Sequence, residues 1–212
     1  MIACVLVVAY LAGAVPASNI VAHLATGRDL RRFGTGTVSG SGLYGLAGFG
    51  AMAAGGLTDI AKGSVGPALA LAVTRDARIA ALAAGCAVIG HNWSVFLRGA
   101  GGRGLSPAMG AGLVVAWPAT AVLALGLSVG RLLRHTALFS AFAVLALVPV
   151  LWLTDGEDGV LLGVAVALPI VVKRVMGNAP PARWSATVVT SRLLLDRDTV
   201  HREPQERWPR DR

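Results

Sequence analysis

Uncharged, mostly apolar runs separated by short charged clusters make up most of this chain. The first run covers residues 1–22, and the later ones cover 33–58, 63–74, 79–97, 104–130, 135–154 and 159–172. A helix needs about 20 mainly apolar residues to cross a bilayer core about 30 Å thick. The pattern therefore predicts an all-α integral membrane protein.

The number of membrane spans depends on the run 104–130, which is too long for one straight crossing. Trp117-Pro118 interrupts it, and proline removes a helix hydrogen bond and restricts the residue before it. We therefore divide this run into two short helices. The pattern then predicts seven transmembrane helices, at about 2–25, 57–74, 79–97, 105–116, 119–131, 136–153 and 159–173.

The basic residues give an orientation to these seven spans. Those near one predicted face are Arg28, Arg31, Arg32, Arg98, Arg103, Arg131, Arg134, Lys173 and Arg174. Cytoplasmic loops of membrane proteins carry an excess of Lys and Arg. We therefore expect the N-terminus outside, the C-terminus in the cytoplasm, and the acidic loop 155–158 outside. The start of span two is the least defined boundary.

Composition supports the membrane class and narrows the function classes. Hydrophobic residues make up 55% and charged residues 14% of the 212 positions, whereas about 25% of an average soluble domain is charged. The net charge of +8 does not predict nucleic-acid binding, because the basic residues stand at the ends of apolar runs and form no stripe. Cys4 and Cys86 lie in apolar runs and predict neither a disulfide framework nor a metal site.

The chain divides into a membrane domain, residues 1–177, and a basic C-terminal tail, residues 178–212. The tail is rich in charge and proline, which predicts little packed structure. Residues 183–195 combine tryptophan, valine and leucine with arginine, which is also typical of a helix lying at the membrane surface. Both interpretations, a largely disordered tail and an interfacial one, stay open.

Two glycine-rich segments have the composition of phosphate-binding loops. Residues 34–42 read GTGTVSGSG, and residues 99–104 read GAGGRG before a predicted helix that opens at Leu105-Ser106-Pro107. Glycines allow close approach to backbone N–H groups, and a helix N-terminus favours an anion. A flexible linker for the first segment and a tight turn for the second are the structural alternatives.

Three ionisable residues fall within or beside the apolar runs. Asp59 and Lys62 are three positions apart and so share one face of a helix, and His91 closes the third predicted span. Ionisable groups at membrane depth are costly and are usually functional or paired with each other. The alternatives are a structural ion pair and a hydrogen-bonded packing histidine.

These segments together resemble the bacterial acyl-phosphate:glycerol-3-phosphate acyltransferases over about residues 5–178. Residues 90–104, GHNWSVFLRGAGGRG, resemble the family pattern GHxxPxFLxFxGGKG. Residues 59–63, DIAKG, match DxxKG, and residues 11–16, LAGAVP, resemble the first-span pattern. The resemblance implies seven helices with the motif loops on the cytoplasmic side of the bacterial cell membrane.

The chain also departs from the family patterns. Residues 34–42 replace GSGNxGATN without either asparagine, Ser94 replaces a proline, and Arg103 replaces the lysine of GGKG. In the third motif, HRxNIxRLxxGxE, Arg174 and Gly177 can be matched. Leu168 and Val171 stand where His and Asn are expected, and no glutamate follows.

The resemblance implies transfer of an acyl group from an acyl phosphate to glycerol 3-phosphate, forming lysophosphatidate for phospholipid biosynthesis. The residues expected on the acyl-phosphate side are His91, Gly101, Gly102, Arg103, Gly104 and Ser106. Those expected on the glycerol-phosphate side are Thr35, Gly36, Thr37, Ser39, Ser41, Asp59, Lys62 and Arg174. An acyl phosphate is already activated, so positioning and charge stabilisation suffice and no catalytic side chain is assigned. No metal or other cofactor is expected.

Two other functions stay open. A catalytically degenerate relative that binds lipid precursors or a partner membrane protein is favoured by the incomplete third motif. A small transporter is suggested by the Asp59/Lys62 pair and the broken helices. The expected partners are membrane lipids and the two substrates, without nucleic acid, and the sequence leaves open whether the protein is a homodimer.

Overall fold

The computed structural model describes residues 1–179 and 181–196, and these residues form an all-α fold. Its helices are α1 Ile2–Ala14, α2 Ala17–Thr26, α3 Gly40–Thr74, α4 Ala77–Asn92, α5 Leu105–Val115, α6 Trp117–Leu132, α7 Thr136–Met176 and α8 Ala186–Leu195. Short 3₁₀ turns cover Leu30–Arg32 and Val95–Leu97. The prediction for residues 197–212 of the tail lies outside the described residues.

The first predicted span is broken near its middle, which a single helix over 2–25 did not anticipate. Helix α1 ends at Ala14 and α2 begins at Ala17, with Pro16 at the N-cap of α2. Proline has no N–H and cannot continue the helical hydrogen bonding of α1. The break leaves the Val15 carbonyl oxygen available to a side chain from another helix.

The second span begins earlier than the predicted residue 57. Helix α3 begins at Gly40 and contains one non-helical residue, Gly48, with φ 80° and ψ −171°. That conformation is open to glycine and disfavoured for other residues, and it folds the segment before Gly48 back so that Leu43 lies against Gly55. The many glycines of this stretch weaken the apolar pattern, which explains why the sequence did not locate the start.

The other spans largely follow the prediction. Helices α5 and α6 divide at Ala116, and Pro118 lies in the first turn of α6, as predicted. Helix α4 ends at Asn92, and the short 3₁₀ turn Val95–Leu97 continues the third span to residue 97, as predicted. Spans six and seven meet at the non-helical Gly156, with φ 63° and ψ −139°, within the predicted connection 155–158. The two halves of α7 then pack side by side, with Gly163 against Val148.

Within the described residues, three segments are long and apolar enough to cross a membrane by themselves, namely Ile2–Thr26, Ala77–Leu97 and Thr136–Met176. The helices pack closely because small residues face one another. An alanine Cβ at Gly13 would lie 2.0 Å from the Ala87 carbonyl oxygen, and one at Gly90 would lie 2.1 Å from that of Tyr10. Such interfaces are typical of membrane helices. Large apolar side chains such as Leu125 and Trp152 lie on the outside.

The charged loops gather at two opposite ends of the helical bundle. At one end, the Arg78 guanidinium lies 2.8 Å from the Asp158 carboxylate and 3.7 Å from that of Glu157. At the other end, the Arg131 guanidinium lies over the Tyr44 ring, and Arg174 donates to the Ala137 carbonyl. The loops predicted to share one side of the membrane are therefore neighbours in space.

Helix α8 packs against the C-terminal end of α7. Its Arg192 is completely buried and donates to the carbonyl oxygens of Val175, Met176 and Ala179. The Ala186–Leu195 part of the tail is therefore helical and packed against the end of α7. The interfacial position of this helix stays a prediction.

Candidate active site

A buried ion pair lies where α3 crosses the break between α1 and α2. The Lys62 Nζ lies 2.8 Å from the Asp59 Oδ1, as their shared helix face predicted. The Ser18 hydroxyl donates to Asp59 Oδ2 at 2.6 Å, and Lys62 also donates to the Val15 carbonyl oxygen. Asp59 is 1% and Lys62 9% exposed. The pair is therefore held by groups from both sides of the helix break.

His91 brings the end of α4 to the same place. Its Nδ1 lies 3.7 Å from the Asp59 Oδ1, and its side chain is buried. The His91 carbonyl oxygen accepts a hydrogen bond from the Gly102 N–H at 3.1 Å. The His91 side chain thus contacts the Asp59 carboxylate of α3, and the His91 main chain bonds the second glycine-rich loop.

The second glycine-rich loop packs closely against His91 at the end of α4 and against Val38 of the first loop. An alanine Cβ at Gly102 would lie 2.0 Å from the His91 Nε2 and 2.6 Å from the Val38 carbonyl oxygen. One at Gly101 would lie 2.2 Å from the His91 carbonyl oxygen. Real Cβ atoms do not approach other atoms so closely, so both positions require glycine. Gly104 is the N-cap of α5, and Ser106 is half-buried in its first turn.

The chain between α2 and α3 is anchored before it reaches the first glycine-rich loop. The buried Leu30 N–H donates to the Asn19 side chain at 2.9 Å. The Asp29 carboxylate caps the 3₁₀ turn and bonds Arg31, and this hydrogen bond lowers the pKa of Asp29 below its usual value. The carboxylate therefore stays ionised near neutral pH. These hydrogen bonds hold the backbone at residues 29–31, just before the first glycine-rich loop.

The first glycine-rich loop presents its hydroxyls together. The hydroxyl oxygens of Thr35 and Thr37 lie 2.8 Å apart, and those of Ser39 and Ser41 lie 3.0 Å apart. Each pair forms a solvent-exposed hydrogen bond. Ser39 is also the N-cap of α3. The Ser39 and Ser41 hydroxyls therefore lie at the N-terminus of α3, where the anion-binding interpretation of this loop needs polar groups.

The two glycine-rich loops contact each other, which the sequence did not reveal. The Val38 N–H donates to the Gly101 carbonyl oxygen at 3.1 Å. The Asn178 side chain bonds Gly36 in the first loop and Gly101 in the second. Asn178 follows the matched third-motif Gly177 but was assigned to the tail, and no spacing rule links it to either loop.

Together these elements line one small cavity. Its wall is formed by Ala14, Val15, Pro16, Ala17, Val38, Asp59, Lys62, His91, Ser94, Leu97 and Gly101. The structure thus brings together Asp59, Lys62, His91 and Gly101 from the predicted set. Ser18 and the Val15 carbonyl were not predicted, because a proline break gives no sign of which group it exposes.

The side chains of Arg103 and Arg174 do not line this cavity. The Arg103 guanidinium donates to the Lys173 carbonyl oxygen at 3.1 Å and lies 2.8 Å from the Asp196 carboxylate. Arg174 donates to Ser140 and to the Leu193 carbonyl oxygen. Arg103 therefore borders the site through its glycine-rich loop, whereas Arg174 joins α7 to α8. Their substrate-binding roles stay predictions.

The cavity wall carries one cation, Lys62, one carboxylate, Asp59, and one histidine, His91. Lys62 supplies positive charge and Asp59 with His91 can orient a hydroxyl, whereas the N–H groups of Val38, Gly101 and Gly102 are hydrogen-bonded within the protein. Within residues 1–179 and 181–196, no group of three His, Cys, Asp or Glu side chains could hold a metal ion. The arrangement suits binding of phosphate groups beside an attacking hydroxyl.

Comparison with known sequences gives a consistent result. Residues 3–179 match the family model described as Glycerol-3-phosphate acyltransferase. Glycerol-3-phosphate acyltransferase 1 of Dehalococcoides mccartyi is 34% identical over 181 residues, covering 82% of this chain and 87% of its own length. Glycerol-3-phosphate acyltransferase of Syntrophotalea carbinolica is 32% identical over 197 residues, covering 91% and 87%.

Solved structures share the fold. Crystal structures of PlsY (YgiH), an integral membrane glycerol 3-phosphate acyltransferase, superpose on this chain in two forms. The glycerol 3-phosphate form has a TM-score of 0.72 at 20% identity and covers 89% of this chain and 98% of its own. The lysophosphatidic acid form has a TM-score of 0.71 at 18% identity, covering 89% and 97%. The all-α membrane fold is therefore confirmed.

Proposed function

This chain belongs to the glycerol-3-phosphate acyltransferase family, and we propose that it transfers an acyl group from an acyl phosphate to the 1-hydroxyl of glycerol 3-phosphate. The products are lysophosphatidate, an early intermediate of phospholipid biosynthesis, and inorganic phosphate. The observation that carries the proposal is the cavity in which the Asp59–Lys62 pair meets His91 and Gly101. It combines a buried cation with a glycine-rich loop at one end of a membrane fold.

The reaction needs charge stabilisation more than a strong base. The acceptor oxygen attacks the acyl carbon, the bond from that carbon to the phosphate oxygen breaks, and the hydroxyl proton ends on the leaving phosphate. The two substrates together carry about four negative charges near neutral pH, by analogy with phosphate monoesters on side chains. Lys62 and Arg103 offset part of this charge, and N–H groups of the two loops add donors.

The substrate sides follow the two loops. The loop at Gly101, Gly102 and Gly104, with Arg103, Ser106 and His91, holds the acyl phosphate. The hydroxyls of Thr35, Thr37, Ser39 and Ser41, with Gly36, Asp59 and Lys62, hold the glycerol phosphate, and Arg174 supports this side from α7. All these residues belong to one chain, so a homodimer is not needed to complete the site.

The proposed location is the bacterial cytoplasmic membrane, with the glycine-rich loops facing the cytoplasm. Single cysteines at Glu157 and Arg134, in a background of Cys4→Ala and Cys86→Ala, test this orientation. A membrane-impermeant maleimide added to intact cells should label Glu157→Cys, because the Glu157 side chain is 91% exposed. Arg134→Cys should react only after permeabilisation, and the reverse pattern would invert the proposed topology.

Phosphate release from a synthetic acyl phosphate by the purified protein is the direct test of the activity. Release should depend on glycerol 3-phosphate and should yield lysophosphatidate in equal amount. A folded protein that binds glycerol 3-phosphate but releases no phosphate would be a lipid-precursor-binding relative and not an acyltransferase.

Arg103→Ala should cost about 2–4 kcal/mol of transition-state stabilisation, the size of effect seen when one charge-stabilising donor is removed. This corresponds to a fall of roughly 30- to 10³-fold in kcat/KM. Arg98→Ala is the matched control, because Arg98 lies exposed at the start of the same loop. An unchanged rate for Arg103→Ala, or an equal loss for Arg98→Ala, would remove Arg103 from the site.

A further inference from the structure

We propose that Asn178 is a positioning residue, which fixes the separation of the two glycine-rich loops and so makes two phosphate-binding loops into one site. The inference rests on the proposed function, because it concerns how two substrates of that reaction meet. Asn178 stands at a position of the third motif where the family pattern allows any residue. It lies at the end of the region that the family model matches.

The Asn178 side-chain amide bonds both loops at once. Its Nδ2 donates to the Gly36 carbonyl oxygen at 2.9 Å and to the Gly101 carbonyl oxygen at 3.0 Å. Its Oδ1 accepts from the Gly101 N–H at 3.1 Å. Three hydrogen bonds from one planar amide, two of them to the same residue, fix both the distance and the orientation of the loops.

The loops are also in direct contact beside this amide. The Val38 N–H donates to the same Gly101 carbonyl oxygen, at 3.1 Å. The Val38 carbonyl lies against Gly102 so closely that no side chain fits between them. Removing the amide therefore leaves the Val38–Gly101 hydrogen bond and the contact of the Val38 carbonyl with Gly102. Both involve one residue of the first loop, so they do not fix the angle between the loops.

Asn178 is itself held by the C-terminal helix. Helix α7 ends at Met176, and the last carbonyls of a helix lack partners within it. Arg192 of α8 donates to the carbonyls of Val175, Met176 and Ala179, on both sides of Asn178. Because the family match ends at residue 179, this support comes from a part of the chain outside the matched region.

A fixed loop separation matters because the acceptor oxygen and the acyl carbon must lie about 3–3.5 Å apart to react. Each loop can still bind its own phosphate when the clamp is lost. The expected result for Asn178→Ala is therefore a fall of about 10²-fold in kcat, as for a misplacement of about 1 Å, with KM for each substrate changed far less. A residue needed only for folding would lower the active fraction and would leave the kcat of the folded protein unchanged.

Hydrogen exchange of the full-length protein in detergent tests the clamp without depending on activity. Exchange should become faster in Asn178→Ala in peptides that cover residues 35–39 and 99–102, and not in peptides from α6. Asn178→Asp keeps the size and the acceptor but sets a carboxylate against two carbonyl oxygens, so it should behave like the alanine variant. Thr190→Ala is the matched control, because Thr190 is exposed on α8 and its hydroxyl bonds carbonyls of its own helix.

The two readouts separate the inference from the proposed function. Faster loop exchange with a lower kcat in both Asn178 variants supports the clamp. Unchanged exchange in both loops, or a wild-type kcat in Asn178→Asp, would overturn it. If the wild-type protein transfers no acyl group, the proposed function fails, while the exchange comparison still decides whether Asn178 holds the loops.

Discussion

Lys62→Met is expected to lower the free energy of unfolding by about 3–5 kcal/mol, because it leaves the buried Asp59 carboxylate without its ammonium partner. Lys62 and Asp59 are both almost inaccessible, and their charged atoms lie 2.8 Å apart. Water therefore cannot replace the lost partner without opening the helix contact. Thermal unfolding in detergent, followed by tryptophan fluorescence, measures the change.

The double variant Asp59→Asn/Lys62→Met separates stability from function. A buried ion pair replaced by neutral groups of similar size is often neutral or stabilising, and the amide oxygen introduced by Asp59→Asn would still accept from the Ser18 hydroxyl. The double variant should therefore recover most of the lost stability. Its kcat/KM should stay at least about 10²-fold below that of the wild type, because the cation proposed to face the substrate phosphate is absent.

Lys62→Arg completes this series. It keeps the charge but presents a planar, forked donor in place of a compact ammonium, so partial activity is expected. Wild-type kcat/KM in the double variant would show that the pair is structural and would remove Lys62 from the substrate site. Loss of activity without loss of stability in Lys62→Met would instead show that the buried Asp59 does not need the Lys62 ammonium for the protein to stay folded.

The fold could be predicted from the sequence wherever one residue type determines the backbone. Pro118 marked the division between α5 and α6 because proline cannot donate in the middle of a helix. The break at Pro16 has the same cause, but it lies inside a continuous apolar run that reads as one span. The reversal at Gly156 lies within the acidic loop predicted between spans six and seven. Gly48 was not recognised as a bend, because one glycine among many others carries no sign of a positive φ.

The site could be predicted where its residues lie within a few positions of one another. Asp59 and Lys62 share a helix face, and the GGRG segment follows His91 closely along the chain. Asn178, by contrast, reaches Gly36 across 142 positions. Such a contact depends on the packing of α7 and α8, which the local sequence does not encode. Ser18 was missed for the same reason.

The incomplete third motif has a physical counterpart in the structure. Leu168 is 60% exposed on the outer surface of α7, and Val171 packs against the hydrophobic core. Neither position offers a polar group to the cavity. The end of α7 is instead tied to the glycine-rich loops by Asn178 and to α8 by Arg192. This is consistent with a site in which loop geometry and charge carry the reaction.

Gly102→Ala is expected to have the second large effect, a fall of about 10²-fold or more in kcat/KM. The added Cβ would lie 2.0 Å from the His91 Nε2 and 2.6 Å from the Val38 carbonyl oxygen. His91 is enclosed and the Val38 carbonyl is backbone, so the two glycine-rich loops must move apart. A loss of about 1–3 kcal/mol in stability should accompany the change, as for other overpacked positions.

Gly50→Ala provides the matched control for this variant, because a Cβ at Gly50 meets no atom within 4 Å. Gly50 lies in helix α3, so alanine should raise stability by up to about 1 kcal/mol through helix propensity and leave kcat/KM unchanged. Comparing the two variants separates the effect of crowding beside His91 from the general effect of replacing a glycine by alanine. Equal activity of Gly102→Ala and Gly50→Ala would mean that the close contact of the two loops is not required for acyl transfer, and it would count against the clamp at Asn178 as well.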